Sequence, residues 1–162
     1  MSKIKVLDKE FEISMPEEVI QKRIAELGAE LSKDYKGKKP VFLGILNGSF
    51  MFASDLFKNI TIEAQITFLK LASYQGTTTT GAVKQLIGLN QDIKDQHIII
   101  LEDIVDTGIT LETIMRQLSG YQPKSVKVAT LLFKPEAYKK DLEIDYIGFS
   151  IPNEFIIGYG LE

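Results

Sequence analysis

The stretch that most constrains the fold covers residues 97–115 and reads HIIILEDIVDTGITLETIM. Its apolar run ends at Glu102 and Asp103, a third acid follows at Asp106, and a helical pattern begins after Gly108. A continuous apolar run is typical of a strand that is covered on both faces, as strands of parallel sheets are. Carboxylates repel one another and are costly to desolvate, so we expect cationic groups or hydroxyls to face them. The stretch therefore predicts a buried strand, a polar loop and a helix in direct succession.

Strand and helix patterns alternate through the rest of the chain. This alternation predicts an α/β fold with a mostly parallel central sheet flanked by helices, in a single domain of residues 1–162. We expect the N-terminal hairpin and the last 30 residues to form a small hood over the strand ends. The predicted elements are a hairpin at 4–14 with its turn at Asp8-Lys9, helices from near Pro16 to Gly37, at 50–57 and at 110–119, and strands at 40–46, 60–74, 82–88, 97–103, 125–133, 145–149 and 155–158.

The composition excludes several classes of function and site. With 19 basic and 22 acidic residues the net charge is −3, so no basic excess predicts nucleic acid or an anionic membrane as a partner. The absence of cysteine excludes disulfides and thiolate chemistry, and the single histidine, His97, cannot form a multi-histidine metal site alone, so we expect it to be structural. No apolar run approaches the roughly 20 residues of a membrane span, and the N-terminus lacks the apolar core of a signal peptide. We expect a cytoplasmic protein.

The loop that follows the acidic pair has the features of an anion site. Ligands of open α/β sheets bind beyond the carboxyl ends of the strands, which is where Glu102 and Asp103 would lie. The sequence DTGIT at 106–110 is rich in small residues, and it precedes a helix whose first N–H groups and dipole suit a phosphate. A phosphate site beside two carboxylates suits a phosphorylated sugar, with the acids accepting hydrogen bonds from ribose hydroxyls. The alternative is that Asp106 merely caps the helix.

Four motifs resemble those of the type I phosphoribosyltransferases and follow one another along the chain in that family's order. The form EDIVDTG is similar to that of the hypoxanthine-guanine phosphoribosyltransferases. The resemblance runs from about Val41 to Glu162. It implies transfer of ribose 5-phosphate from phosphoribosyl pyrophosphate (PRPP) to hypoxanthine, and to guanine, giving IMP or GMP and pyrophosphate. The motifs are IIILEDIVDTGITL for PRPP, ILNGSFMF for pyrophosphate, LASYQGTTTTG for a mobile catalytic loop, and LLFKPEA with DYIGFSIPNEFIIGYGLE for the purine.

The resemblance implies a role for each part of the PRPP motif. Glu102 and Asp103 would bind the ribose hydroxyls directly or through Mg²⁺. Backbone N–H groups from Asp106 through Thr107, Gly108, Ile109 and Thr110, with the two threonine hydroxyls, would hold the 5′-phosphate. Asp106 also occupies the position of the acid/base that acts at purine N7, a role that is compatible with capping.

The first of the remaining motifs covers Leu46, Asn47, Gly48 and Ser49, whose backbone would bind pyrophosphate; the alternative is a plain turn before a helix. A cis peptide bond is implied between Leu46 and Asn47, and the family often has lysine where Asn47 stands. Ser73 and Tyr74 would belong to a lid that excludes water, although TTTTG alone is equally consistent with a solvated loop.

In the purine motif, the resemblance implies that Lys134 donates to O6, Phe155 stacks on the base and Ile156 offers backbone groups. Taken alone, Lys134 would be interpreted as a solvated lysine and Phe155 as a core residue. Glu162 stands where the family usually has an aspartate that coordinates Mg²⁺.

Three other functions remain open at this point. They are a xanthine-preferring relative, a regulator of transcription that binds PRPP or nucleotides, and a plain nucleotide-binding domain. The chain shows no appended DNA-binding pattern, and both Asp106 and Lys134 are present, which favours the enzyme. The resemblance also implies a homodimer or a homotetramer.

Overall fold

The computed structural model describes residues 3–6, 9–12, 15–75 and 82–152, with backbone alone for the first two ranges and for 73–75 and 82–85. These residues form eight strands and three helices. The elements are β1 (Lys3–Val6), β2 (Lys9–Glu12), α1 (Glu17–Asp34), β3 (Val41–Leu46), α2 (Phe50–Phe57), β4 (Gln65–Gln75), β5 (Ala82–Ile87), β6 (His97–Val105), α3 (Ile109–Ser119), β7 (Ser125–Phe133) and β8 (Tyr146–Ser150).

The central sheet has six strands in the order β5-β4-β3-β6-β7-β8. All neighbouring pairs are parallel except β4 and β5, which run antiparallel. The predicted α/β fold with a mostly parallel sheet is thereby confirmed. The carboxyl ends of parallel strands point in the same direction, so the carboxyl ends of β3, β6 and β7 lie side by side.

Two details of the prediction need correction. Lys9 lies in β2 and pairs with Val6, so it is not part of the hairpin turn. Strand β8 pairs with β7 and extends the central sheet, so this part of the C-terminal segment does not belong to a hood. The predicted strand at 155–158 lies outside the described residues, as do all of residues 153–162. Strands β1 and β2 form a separate two-stranded sheet.

Both faces of the sheet are covered, and alternate residues of each central strand face opposite sides. On one face Phe42, Ile99 and Leu101 pack with buried residues of α1 and α2. On the other face the core of α3, formed by Leu111, Ile114 and Leu118, packs with Leu43, Ile98 and Ile100. Residues 98–101 of β6 have no exposed surface. The uninterrupted apolar run of this strand is thus explained by burial on both sides.

Side chains from helices bind backbone groups at both edges of the sheet. Arg23 of α1 donates from Nε to the carbonyl of Gly148, at 2.9 Å, and from Nη2 to the carbonyl of Ile147, at 2.6 Å. At the opposite edge, Oε1 of Gln117 in α3 accepts the N–H of Leu86 in β5 at 2.8 Å. These bonds hold the two outermost strands against the helices. In the described ranges no helix has the length and apolarity that crossing a membrane requires.

Candidate active site

The acidic pair lies at the carboxyl end of β6, as predicted. Residues 102–108 with Thr110 and Leu111 line an open cleft of about 280 Å³. Strand β6 is held between β3 and β7, and Glu102 is level with Thr130 of β7. The two acids follow directly after the fully buried apolar residues 98–101. The cleft combines carboxylates on one side with the start of α3 on the other.

Glu102 is a buried carboxylate, and one of its two oxygens lacks a hydrogen-bond partner. The residue is 8% exposed, and its Oε1 atom has no hydrogen-bond partner. Burial and, to a lesser degree, the charge of Asp103 raise the pKa of Glu102 well above its usual range. Burial also raises the pKa of Asp103, although backbone hydrogen bonds to its carboxylate from Ile104 and from its own N–H act in the opposite direction. A cation or hydroxyl group bound here would relieve both groups.

The loop after β3 contacts the acidic pair. A cis peptide bond joins Leu46 and Asn47, which confirms that expectation. A side chain at Gly48 would overlap the carboxylate of Asp103, with its Cβ 2.7 Å from Cγ, so only glycine allows this approach. The buried Ser49 donates to the carbonyl of Ile45 from both Oγ, at 2.6 Å, and its backbone N, at 3.3 Å. Ser49 therefore holds the turn, and neither donor is directed at the cleft.

The phosphate cradle predicted at 106–110 forms the start of α3. Gly108 is the N-cap residue, in a left-handed conformation with φ of 92°, and as a glycine it makes no side-chain capping hydrogen bond. Thr107 Oγ1 accepts a long hydrogen bond of 3.4 Å from the N–H of Ile109. The alternative interpretation of Asp106 as a helix cap is therefore wrong. Its side chain instead extends toward Lys134.

Lys134 and Asp106 form an ion pair across the ends of β7 and β6. The Nζ–Oδ2 distance is 3.5 Å, and the side chain of Lys134 is 10% exposed whereas that of Asp106 is 49% exposed. The Lys134 N–H donates to the carbonyl of Val105 at 3.0 Å, which fixes the two strand ends together. The interpretation of Lys134 as a solvated lysine is wrong, and the cation expected near the acids is found beside Asp106.

Residues 134–142 lie against the cradle, a contact that the sequence did not predict. The N–H of Lys139 donates to the carbonyl of Thr107 at 3.1 Å, and Lys140 Nζ is 3.1 Å from Oε1 of Glu112 in the first turn of α3. The ring of Tyr138 covers Gly108, since a Cβ built there would lie 2.6 Å from Cε1. Burial, with the charges of Asp141 and Glu112, raises the pKa of Tyr138, so its phenol is neutral near pH 7. No periodicity in KPEAYKKDL indicated this packing.

The other predicted residues are only partly described. Ser73 and Tyr74 belong to β4 by their backbone, with Tyr74 level with Val83 of β5. Phe155, Ile156 and Glu162 lie outside the described residues.

His97 begins β6, at the end of the strand opposite the acids, where its Nδ1 and Ser125 Oγ form a hydrogen bond of 2.7 Å. Burial lowers the pKa of His97, and its ring meets that of Tyr35 edge-on.

Mg²⁺ is compatible with the acidic pair. Within the ranges that the structure describes, no group of three or more acidic or histidine side chains could enclose a metal ion. Mg²⁺ is commonly held by one or two carboxylates together with water and substrate phosphates. Glu102 and Asp103 can supply these carboxylates. The Glu102 oxygen without a partner is a donor of the kind that such an ion requires.

Comparison with known proteins gives a consistent result over most of the chain. A model of the phosphoribosyl transferase domain matches residues 17–162. A hypoxanthine-guanine phosphoribosyltransferase of Staphylococcus aureus is 45% identical over 152 residues, which cover 93% of this chain and 85% of that protein. The hypoxanthine phosphoribosyltransferase of Escherichia coli is 42% identical over 154 residues, covering 93% and 86%. A crystal structure of a hypoxanthine-guanine phosphoribosyltransferase from Bacillus anthracis matches with a TM-score of 0.82 at 36% identity, covering 94% and 88%.

The buried Glu102 carboxylate should destabilise the ligand-free protein at neutral and alkaline pH. Its pKa in the folded state is raised, so its destabilising effect is absent below the unfolded value, about 4.3, grows as the pH rises toward the folded pKa, and is constant above it. We expect Glu102→Gln to raise the free energy of unfolding by about 1–3 kcal/mol at pH 8 and to have little effect near pH 4. Urea unfolding without Mg²⁺ measures this.

The matched control is Glu63→Gln, because Glu63 is an exposed acid and should show no such dependence. A Glu102→Gln variant less stable than the parent at pH 8 would show that the carboxylate has a partner in solution.

Proposed function

The chain belongs to the phosphoribosyltransferase family, in its hypoxanthine-guanine branch, and from this premise we propose how its residues perform the reaction. It is a pentosyltransferase of purine salvage, which transfers ribose 5-phosphate from PRPP to hypoxanthine and releases pyrophosphate. We extend the proposal to guanine, with IMP and GMP as the products. The observation that carries the assignment of roles is the ion pair between Lys134 and Asp106, beside the phosphate cradle.

This pair suits one edge of a 6-oxopurine. O6 and N7 lie on the same edge of the purine, where O6 is an acceptor and a protonated N7 is a donor. Lys134 can donate to O6 and Asp106 can accept from N7–H, with the two side chains already 3.5 Å apart. An ammonium group has three donors, so Lys134 can bind O6 and Asp106 together. Adenine presents an amino group in place of O6, which a donor-only lysine does not match.

The sugar and phosphates would occupy the rest of the cleft. The 5′-phosphate would bind the N–H groups at 106–110 and the hydroxyls of Thr107 and Thr110, where the helix dipole of α3 adds to the attraction. The ribose hydroxyls would meet Glu102 and Asp103. Pyrophosphate would bind the backbone of the loop at 46–49, with Asn47 and Gly48 as the donors, because those of Ser49 hold the turn.

We propose that Mg²⁺ binds in the cleft together with the substrates. Glu102 and Asp103 would hold it with the ribose and pyrophosphate oxygens, and Glu162 is proposed as a further ligand. When bound, the ion supplies positive charge that stabilises the leaving pyrophosphate.

In the proposed step, purine N9 attacks C1′ of PRPP, the bond from C1′ to the pyrophosphate oxygen breaks, and the N7 proton passes to Asp106. Two observations support this role: Asp106 lines the cleft with 49% of its side chain exposed, and its Oδ2 lies 3.5 Å from Lys134 Nζ. The transition state carries positive charge on the sugar, which water would trap. We assign Ser73 and Tyr74 to the lid that excludes this water, and Phe155 and Ile156 to the base site. A homodimer or homotetramer is proposed from the family resemblance, and a cytoplasmic location from the sequence patterns given above.

The proposed reaction predicts pyrophosphate release that requires PRPP, Mg²⁺ and a 6-oxopurine. We expect turnover with hypoxanthine and guanine and little with adenine, since Lys134 provides no acceptor for an amino group. The measurement is coupled detection of pyrophosphate with hypoxanthine, guanine, xanthine and adenine in parallel. Xanthine as the best substrate would identify a xanthine-preferring enzyme, and PRPP binding without turnover on any base would identify a regulator.

Replacement of Asp106 by asparagine should abolish most of the activity without unfolding the chain. Asparagine keeps an acceptor oxygen for Lys134 but cannot take the N7 proton, and general acid–base catalysis typically contributes about 10²–10⁴-fold. We expect kcat to fall by that factor and the Kd of PRPP to change little. Glu136→Gln removes an exposed acid on the same side of the sheet and should leave kcat at the parent value. A near-normal kcat in Asp106→Asn would remove Asp106 from the chemistry.

Replacement of Lys134 by alanine should impair use of the base more than binding of PRPP. Loss of a charge-assisted bond of about 1.5–3 kcal/mol to O6 predicts a fall of more than tenfold in kcat/KM for hypoxanthine. The control is Lys139→Ala, because Lys139 is exposed and its backbone bond to Thr107 is kept. Steady-state kinetics with each substrate varied in turn make the comparison. Parent-like efficiency of Lys134→Ala on hypoxanthine would place the base elsewhere.

A further inference from the structure

The phosphate cradle depends on contacts from outside its own motif. We call residues 134–140 the brace, because their backbone bonds the cradle loop on either side of Asp106. The N–H of Lys134 donates to the carbonyl of Val105 at 3.0 Å, and that of Lys139 donates to Thr107 at 3.1 Å. Between them the N–H groups of Ala137 and Tyr138 both return to the Lys134 carbonyl, at 3.1 and 3.2 Å, in a single helical turn. This turn directs the Tyr138 side chain toward the start of α3.

The ring of Tyr138 is held on two sides. Phe133 packs against it edge-on, with 5.3 Å between the ring centroids. At its far end, the hydroxyl donates to the carbonyl of Leu142 at 2.6 Å. The ring in turn covers Gly108 together with the side chain of Lys140. Cε1 and Cδ1 of Tyr138 lie 2.6 and 3.1 Å, and Cγ of Lys140 lies 2.7 Å, from where a Cβ would be. A ring fixed in this way leaves the glycine little space in which to change conformation.

Gly108 is the residue of the cradle with the greatest conformational freedom. Its φ of 92° is one that glycine adopts readily, but glycine also populates negative φ about equally well. A change at Gly108 would redirect the N–H groups of Ile109 and Thr110, which must point together at one phosphate. Ordering such a loop at the moment of binding would weaken affinity, whereas a loop held in advance avoids that loss.

We propose that Tyr138 is a positioning residue that preorganises the cradle for the 5′-phosphate through the ring packed on Gly108. The inference rests on the proposed function in that the ligand is the phosphate of PRPP or of the nucleotide product. Tyr138 itself touches no reacting atom. It acts on the affinity for phosphate-bearing ligands, whereas the proposed base site at Lys134 is held by its own bond to Val105.

The test compares Tyr138→Leu and Tyr138→Phe with the parent enzyme. Leucine keeps an apolar contact for Phe133 but has no ring over Gly108, and phenylalanine keeps the ring but not the hydroxyl. For Tyr138→Leu we expect the KM of PRPP and the Kd of ribose 5-phosphate, measured by calorimetry, to rise by about tenfold, as loss of a preorganised loop implies. The KM of hypoxanthine and kcat should stay at the parent values. Tyr138→Phe keeps the ring against Phe133 and Gly108 but loses the bond to Leu142, so it should lose less affinity for both phosphate ligands than Tyr138→Leu does.

Three outcomes would overturn the inference. The first is parent-like affinity of Tyr138→Leu for ribose 5-phosphate. The second is an equal rise in KM for both substrates, which would indicate a general packing defect rather than a loss at the cradle. The third is an equal loss in Tyr138→Phe, which would assign the effect to the hydroxyl. Failure of the proposed function would instead appear in the parent, as absence of turnover with hypoxanthine, and the calorimetric comparison does not depend on turnover.

Discussion

Burial of β6 on both faces is the constraint on which the site depends. Because residues 98–101 are inaccessible to water, this strand must lie in the middle of the sheet with α1 and α2 on one side and α3 on the other. The acids Glu102 and Asp103 follow these residues at the carboxyl end of the strand. A strand between two parallel neighbours also brings the ends of β3 and β7 to the same place. Strand order therefore brings the residues of the cleft together, and the bonds of Lys134 to Val105 and Asp106 then join the ends of β6 and β7.

The buried carboxyl groups at the carboxyl end of β6 destabilise the ligand-free protein when they are charged, and a bound ligand can relieve this effect. Glu102 has an oxygen without a partner, and the close approach of Gly48 confines Asp103. Lys134 balances Asp106, which lies further out, and not the buried pair. Two groups that disfavour their charged forms in the empty protein are ready to be relieved by a cation or by hydroxyls. The proposed function thus uses two carboxyl groups whose pKa values are raised by burial, as is common in sites that bind charged substrates.

Sequence patterns predicted the elements well and the contacts between them less well. Apolar runs located β3 and β7, whose apolar residues are mostly buried. A helical pattern located α2, in which Phe52, Ala53 and Leu56 are buried whereas Phe50 and Met51 are exposed. Motif resemblance located the cradle and the loop at 46–49. The role of Ser49 in holding its turn and the packing of Tyr138 on Gly108 could not be predicted, because each depends on the spatial neighbour and not on spacing along the chain. The burial of Lys134 was missed for the same reason, as its partner Asp106 lies on another strand.

The bonds at the sheet edges bear on how copies of this chain can meet. An exposed edge strand offers free N–H and carbonyl groups, and a second chain can pair with them. Here the guanidinium of Arg23 occupies two carbonyls of β8, and the amide of Gln117 occupies an N–H of β5. A neighbouring chain would have to displace these side chains before it could add a strand at those points. A continuous intermolecular sheet is therefore disfavoured at these points.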